Sequence, residues 1–280
     1  MTTDWRNILV HLDGAEGAAN RLLMGRRLAV DQEARLAALH AAIPAGLLVP
    51  VGGEGAAVMS ESLAQLDTDR RDGSRGAFDA VQGEAGVDAS WGELTGVTAE
   101  DDFIRAAMLA DVVVLGQHDP AAAALSGMPA AFAERVLARS GRPCIVVPHA
   151  MPAGGPLATV VIAWKETPEA VRAVVAALPL LRNASRVHVL TWGGTQAAVP
   201  GPLAGLPAWL AAHDVPASAS HSDGGEPGDL GDLLLSRCAD LGSDLLVMGC
   251  YGHSRAREWL LGGASRTVLS SMTLPVCMVH

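Results

Sequence analysis

The sequence predicts an α/β protein in which parallel strands alternate with helices. Three observations support this prediction. Short apolar runs of strand length recur along the chain, amphipathic helical patterns separate them, and the second half repeats the element order of the first. Each half contains five such runs. Strands that alternate with helices form parallel sheets through right-handed crossovers, because the crossover helix then packs back onto the sheet.

Length and charge narrow the possible classes of protein. A chain of 280 residues with half of them hydrophobic can bury the cores of two ordinary domains. The net charge of −10 argues against nucleic acid or an anionic membrane as a partner, since both need a basic face. The first residues have neither the basic start nor the apolar core of a signal peptide, and no apolar run is long enough to span a bilayer. We therefore expect a cytoplasmic protein.

The four cysteines show no metal-binding or redox spacing. Cys144 and Cys277 lie in apolar runs, which predicts buried thiols that act as small hydrophobic side chains. Cys250 lies in a glycine-rich loop, where we expect a thiol that can be reached from solvent.

The first half opens with a predicted strand at residues 7–12. A helix with Leu22, Leu23, Leu28 and Ala29 on one face follows. The remaining elements of this half are a strand at 34–40, a long helix at 60–81, a strand at 87–91, a helix at 99–110, an apolar run at 112–116 and a closing apolar segment that ends at 149.

The second half repeats this order. Its first strand is predicted at 160–164, and Pro168 suits the first turn of the helix that follows, where its missing N–H costs little. That helix carries Val171, Val174, Val175 and Leu178 on one face. A strand at 187–191, a short helix ending at 213, a polar strand at 217–221 typical of a sheet edge, and a helix at 229–241 come next.

Two segments match most closely between the halves. Ala110-Asp111 before the run VVVLG corresponds to Ser243-Asp244 before LLVMG, and SGRPCIVVPH corresponds to the closing SMTLPVCMVH. A repeat of this length indicates duplication. We place the boundary in the Pro- and Gly-rich stretch 150–156, which divides the chain into domains 1–150 and 151–280.

The most informative loop follows the strand Leu245–Met248. Gly249, Gly252, Gly262 and Gly263 stand between that strand and a helix, where glycines allow positive φ and close approach of the backbone to a ligand. A helix N-terminus favours an anion, and arginine pairs with phosphate oxygens. The loop also carries the donors His253, Ser254, Arg255, Arg257, Ser265 and Arg266. The sequence predicts a phosphate site here, with a plain surface loop as the alternative.

These residues also carry a resemblance to a known family. The pattern Gly249-x-x-Gly252, nine residues, Gly262, then Gly263-Ala264-Ser265 resembles the G-x-x-G-x9-G-[S/T] nucleotide loop of the universal stress proteins. The resemblance implies that Gly249, Gly252, Gly262 and Ser265 hold the phosphates of ATP, or of AMP or ADP, with or without Mg²⁺. Gly263 departs from the family, which has Ser or Thr there, so one hydroxyl ligand is missing.

The resemblance further implies two tandem Rossmann-like domains of the adenine-nucleotide-alpha-hydrolase-like type. Each would be a five-stranded parallel sheet of order 3-2-1-4-5 between helices, and the two would pair about a pseudo-twofold. Ligands of such sheets bind beyond the carboxyl ends of the strands where the strand order reverses. The wall of the second-half crevice would be Ala163, Trp164, Lys165, Leu190, Thr191 and Trp192.

The roles of three of these residues stay open. Trp164 or Trp192 could stack on an adenine ring or could simply belong to the core. Lys165 stands where the family usually has an aspartate that contacts the nucleoside; a lysine cannot accept those hydrogen bonds, but it could reach a phosphate or remain solvated.

The first half has the aspartate that the second half lacks, but its glycine loop is incomplete. Asp13 stands at the aspartate position, and Leu12, Gly14 and His40 could line a nucleoside pocket. However, Gly116-Gln-His-Asp-Pro120 lacks the second glycine, and Gly127 arrives without the Gly-[Ser/Thr] continuation. We expect this half to have lost the nucleotide site, and a different small ligand remains open.

The sequence contains no P-loop, G-x-S-x-G or H-E-x-x-H motif. We therefore expect a stress-response regulator or sensor rather than an enzyme, with an adenine nucleotide and an unidentified protein as its partners. Whether the tandem chain also forms a homodimer stays open. A slow ATPase or nucleotidyl enzyme with Glu166, Glu258 or His253 near the phosphates is one alternative, and a scaffold that binds no nucleotide is another.

Overall fold

The computed structural model describes residues 4–15, 17–48, 55–82, 87–122, 127–149, 155–192, 205–222, 230–250 and 263–280. By residue contacts these form two compact units. The first contains Trp5–Arg142, and the second contains Gly155–His280 together with Pro143–Val146. The predicted domain boundary at residue 150 falls outside the described residues.

The elements of the first half alternate as predicted, with two further helices, Ala45–Leu48 and Phe132–Ser140, that were not predicted. The strands are β1 (Asn7–Leu12), β2 (Arg35–Ala42), β3 (Ala89–Thr95), β4 (Val112–Gly116) and β5 (Cys144–Val147). The helices are α1 (Gly17–Gln32), α2 (Ala45–Leu48), α3 (Ala56–Gln82), α4 (Ala99–Ala107) and α5 (Phe132–Ser140).

The second half follows the same alternation. Its strands are β6 (Thr159–Trp164), β7 (Arg186–Trp192), β8 (Ala217–Ser222), β9 (Leu245–Gly249) and β10 (Val276–Val279). Its helices are α6 (Pro168–Asn183), α7 (Leu206–Ala211), α8 (Leu230–Asp240) and α9 (Gly263–Ser271).

The strand order agrees with the predicted fold class. In the first unit the parallel order is β3-β2-β1-β4. In the second unit the parallel order is β8-β7-β6-β9-β10, which is the predicted 3-2-1-4-5 arrangement, and β8 is the edge strand that its polar sequence indicated. β5 pairs antiparallel with β10, which is why Pro143–Val146 belongs to the second unit. The α/β fold class is therefore confirmed.

The central strands supply the core. The apolar residues of β4, Val112 to Leu115, and those of β9, Leu245 to Met248, are buried, as a parallel strand covered by helices on both faces requires. Helix α1 turns Leu22 and Leu28 toward the sheet, and both are fully buried. Among the described helices, none combines the length and the apolar character needed to cross a membrane.

The helix that follows β6 begins as its sequence predicts. Thr167 is the N-cap of α6, and its hydroxyl oxygen accepts a hydrogen bond from the Ala170 amide at 3.4 Å. Pro168 occupies the first turn, which confirms the prediction made from its sequence position.

One aspartate in each half clamps the opening strand to the fourth strand. The Asp111 carboxylate accepts hydrogen bonds from the Arg6 and Asn7 amides, both at 2.8 Å. In the second half the Asp244 carboxylate accepts from the Ala158 and Thr159 amides at 2.9 and 2.8 Å. The amides of both aspartates donate to the same opening strands at 2.8 Å. The matching Ala-Asp and Ser-Asp steps of the two halves thus make the same contact.

We predict that Asp244→Ala lowers the free energy of unfolding by about 1–3 kcal/mol, because two part-buried amides lose a charged acceptor. Asp111→Ala should cost less, since its hydrogen bonds are exposed to solvent. Urea unfolding followed by circular dichroism measures both. The control is Asp240→Ala, which removes an exposed ion pair with Arg237 and should change stability by less than about 0.5 kcal/mol. Equal losses for Asp244→Ala and the control would contradict the clamp.

Candidate functional site

The carboxyl ends of β6, β7 and β9 meet at one edge of the second unit. Trp164 lies opposite Thr191 in the parallel register, and Ala163 lies opposite both Leu190 and Met248. Gly249 follows Met248 at the end of β9. The structure therefore brings together five predicted site residues that are separated by as many as 86 positions in the sequence.

The exposure of these residues differs. Ala163, Trp164 and Thr191 are half-buried, Leu190 is buried and Lys165 is exposed. Such an edge offers an apolar surface beside one cation. Trp192 ends β7 next to Thr191, and its indole Nε1 is buried without a hydrogen-bond partner among the described residues.

Gly249 is packed closely against α6. Its φ does not lie in the left-handed region that a glycine would permit at this position. A Cβ added there would lie 2.5 Å from the Ala170 nitrogen and 2.5 Å from the Glu169 carbonyl carbon. The side chain is absent because β9 passes directly against the start of α6.

Gly263 begins α9. Unlike Gly249, it is exposed, and a Cβ added there would meet no atom of the described residues within 4 Å. Ala264 is half-buried and Ser265 is buried in the first turn of the same helix. The first amides of a helix have no partner within it, so this turn presents donors suited to an anion.

The remaining predicted ligands cannot be placed. Gly252, His253, Ser254, Arg255 and Gly262 lie outside the described residues, and their part in the site stays a prediction. Among the described residues, no group of three or more His, Cys, Asp or Glu side chains is arranged to hold a metal ion.

The prediction that solvent reaches Cys250 is wrong. Cys250 is buried, its amide donates to the Val279 carbonyl at 2.9 Å, and burial raises the pKa of its thiol. Cys144 and Cys277 are buried as predicted. None of these thiols is poised for nucleophilic chemistry, because burial disfavours the thiolate.

In the first unit α3 covers the corresponding crevice. A Cβ on Gly14 would overlap the backbone of Arg70, and Leu12 is fully buried. The His40 Nδ1 forms a 2.9 Å hydrogen bond with the hydroxyl of Ser74 on α3. The residues expected to line a nucleoside pocket are therefore packed against the protein's own helix.

Arg70 extends this cover to the far side of the crevice. Its guanidinium pairs with Asp67 at 2.9 Å, and its Nη1 lies 3.3 Å from the position of a Cβ added to Gly127. Asp67 in turn accepts the Ala45 amide at 3.0 Å. Arg70 thus lies between the loop after β1 and the segment that would have carried phosphate donors.

Asp13 is also engaged. The Nη2 of Arg21 donates to its Oδ1 in a buried ion pair. Burial alone would raise the pKa of Asp13, but the charge and hydrogen bond of Arg21, together with His11 and the Ala15 amide, hold that pKa below its usual range. A carboxylate committed in this way is a poor acceptor for a sugar hydroxyl.

His11 lies beneath this pair. Its ring contacts Phe103 and Phe132 at centroid distances of 5.1 and 4.4 Å, and its Nε2 lies 3.2 Å from the Ala41 carbonyl oxygen. Burial lowers the pKa of His11 to about 4. The side chain is therefore neutral in the folded protein near neutral pH.

Beside the pair lies a cavity of about 460 Å³. It opens between the start of α1, the residues that follow β4 and the start of α5. Its wall contains both polar and apolar residues, among them His11, Asp13, Arg21, Gly116, Gln117, His118, Asp119, Ala122, Met128, Phe132, Ala133 and His149.

Arg21 and Arg70 were not among the predicted site residues, although the helical periods of α1 and α3 place both on a buried face. On α1 the buried positions include 18, 21, 22, 25, 28 and 29, and on α3 they are 70, 74, 78 and 81. These spacings of three and four place each arginine on an apolar face. A charged residue on the buried face of a helix needs a partner. The position of each arginine among apolar residues therefore indicated a buried ion pair.

Known proteins resemble the chain in structure rather than in sequence. No protein-family model and no curated protein matches it. A universal stress protein from Archaeoglobus fulgidus DSM 4304 is similar, with a TM-score of 0.65 and 16% identity over 99% of this chain and 96% of that chain. A functionally unknown protein from Pseudomonas aeruginosa PAO1 has a TM-score of 0.58 and 14% identity, over 99% and 93% of the two chains. A putative universal stress protein from Pseudomonas aeruginosa UCBPP-PA14 has a TM-score of 0.54 and 15% identity, over 99% and 94%. The predicted universal stress protein fold is therefore confirmed over nearly the whole chain.

We predict that acid destabilises the protein partly through His11. Because its pKa is about 4 in the folded state and about 6.5 when unfolded, the unfolded chain binds more protons between these values, and stability falls as the pH drops through that window. His11→Leu should reduce this pH dependence by up to about 1.4 kcal/mol per pH unit. Urea unfolding at pH 7, 6 and 5 measures it. An unchanged slope would contradict a neutral buried His11, and His280→Leu is the exposed control.

Proposed function

We propose that this chain, which has the fold of the universal stress protein structures, binds an adenine nucleotide in its second half and acts as a stress-response regulator. ATP is the favoured ligand, with AMP and ADP as the related forms. One observation carries the proposal: the carboxyl ends of β6, β7 and β9 meet at one edge, with the four-glycine motif leaving β9 there. Such an edge is where open α/β sheets bind ligands.

The phosphate tail is assigned to the glycine motif and to the first turn of α9. Gly263 is exposed, and no described residue lies where its side chain would be, which suits the approach of a phosphate to its backbone. The unpaired amides and the helix dipole favour negative charge at that point. Arg266, exposed in the same turn, adds a nearby cation.

The nucleoside is assigned to the strand ends. Trp164 offers a half-buried ring for an adenine, and Thr191 stands opposite it in the register. Lys165 follows Trp164 and is exposed. Since lysine cannot accept hydrogen bonds, it would act on the phosphates as a point charge rather than on the ribose.

The first half is assigned no nucleotide. Arg70 and the α3 backbone cover Gly14, and Arg21 engages Asp13, so the residues that would contact a nucleoside already have partners within the protein. We further propose that nucleotide occupancy orders the segment 249–265 and so changes a surface that a protein partner contacts.

Gly263→Ser should tighten ATP binding by about three- to tenfold, because it adds a hydroxyl donor in open space at the start of α9. Isothermal titration calorimetry measures the dissociation constant. Gly263→Ala is the matched control, since it adds the Cβ without the hydroxyl and should leave affinity nearly unchanged. If the serine variant binds ATP no better than the alanine variant, the phosphates do not lie at this turn.

Gly252→Val and Gly262→Val should abolish ATP binding while leaving the circular dichroism spectrum and the unfolding transition unchanged, because each would block backbone approach to the phosphates. Gly76→Val on the exposed face of α3 is the control. Gly249→Val is unsuitable as a test, since that side chain would collide with α6.

Incubation with ATP and Mg²⁺ separates a regulator from an enzyme: binding without ADP formation supports the former, and steady turnover contradicts it.

A further inference from the structure

The cavity of the first unit is not explained by the proposed nucleotide site. We propose that it binds a small organic carboxylate, a molecule with one negative charge and a compact apolar body, whose charged end faces Arg21. The proposal is independent of nucleotide binding by the second half, because every residue it uses lies in the first unit.

Arg21 supplies an unsatisfied hydrogen-bond donor for recognition, since Asp13 offsets much of its charge. Its side chain is about 6% exposed and lines the cavity, yet its Nε has no hydrogen-bond partner among the described residues. Asp13 satisfies only the Nη2. A guanidinium presents its N–H groups in a planar fork that matches a carboxylate, and a buried N–H without an acceptor is costly. A bound carboxylate would remove that cost.

The backbone of α5 adds a second attraction for an anion. Its N-cap, Ala131, makes no side-chain hydrogen bond to the first turn, and Ala130 and Ala133 of this region line the cavity. The Phe132 amide is already bonded to Pro129 at 2.9 Å, so the helix dipole rather than that amide is the attraction.

The rest of the wall selects the body of the ligand. Met128, Phe132 and Ala133 are buried apolar residues on the side of α5. An apolar body packed there would gain about 25 cal/mol for each Å² removed from water. The cavity of about 460 Å³ holds a molecule of metabolite size.

The carboxylates on the wall disfavour a ligand with several negative charges. Asp13 is offset by Arg21, and Asp119, which also lines the cavity, carries a second carboxylate. The Asp119 carboxylate accepts the Ala121 amide at 2.8 Å and so stays in place. A polyphosphate would bring several charges against these carboxylates with one guanidinium to balance them, which like-charge repulsion disfavours.

Benzoate is a suitable probe, with benzamide as its uncharged counterpart and inorganic phosphate as an anion without an apolar body. We expect benzoate to bind the full chain at one site, at least about tenfold more tightly than benzamide or phosphate in calorimetry. Equal affinities for benzoate and benzamide would overturn the role of Arg21, and tighter binding of phosphate would overturn the carboxylate assignment.

Two variants locate the site. Asp13→Asn with Arg21→Met removes both charges together, so no lone charge stays buried, and it should weaken benzoate binding at least about tenfold. Ala122→Trp fills the cavity mouth from a half-buried loop position and should abolish binding. The control replaces the Glu100–Arg135 ion pair of the same unit, which is outside the cavity, by Gln and Met. If the control weakens benzoate binding as much, or neither cavity variant does, the proposal fails.

Repeating the benzoate titration in the Gly252→Val variant keeps the two proposals apart. Benzoate should bind that variant with unchanged affinity even though ATP does not. Loss of both ligands together would show that benzoate occupies the nucleotide site, and the proposed first-unit site would be wrong.

Discussion

The fold depends on a hydrogen-bonded aspartate that joins the opening strand of each half to its fourth strand. Asp111 and Asp244 each accept two amides at the entry to β1 and β6. Because the side chains of a strand alternate with a period of two, a slip of one residue would turn apolar side chains away from the core. In each half the clamp therefore helps to set which residues lie side by side at the carboxyl ends of the strands, where the crevice of that half lies.

The two halves share the same strand arrangement but differ in the residues that lie over the carboxyl ends of the strands. At the start of α9, no residue of the described ranges lies where a side chain of Gly263 would be. In the first half, Arg70 from α3 and Arg21 from α1 lie over the equivalent strand ends and engage Asp67 and Asp13. Breaking a buried pair by removing one partner costs about 3–5 kcal/mol, so the Arg21–Asp13 pair is firmly held. The duplication preserved the sheet while the helices that cover it diverged in their charged residues.

The elements of the fold were predictable because each rests on a local pattern. The apolar runs, the Pro168 helix start and the polar edge strand β8 all follow from residues that are close in sequence. The site was predictable in part. Parallel strands place their carboxyl ends at one edge, so the grouping of Trp164, Thr191 and Gly249 followed from topology. The reason for a glycine at position 249 did not follow from topology, since it depends on a helix that begins 81 residues earlier in the chain.

The sequence by itself determined the strand and helix order, the duplication and the single glycine motif, because periodicity and turn chemistry act over a few neighbouring residues. Only the tertiary structure decided how the strand ends of the first half are covered. Whether Asp13 can accept a ligand depends on the helix face that carries Arg21, and whether Gly14 is accessible depends on the path of α3. Both are packing outcomes between distant segments. The burial that neutralises His11 is likewise a property of the assembled core and not of the residues beside it.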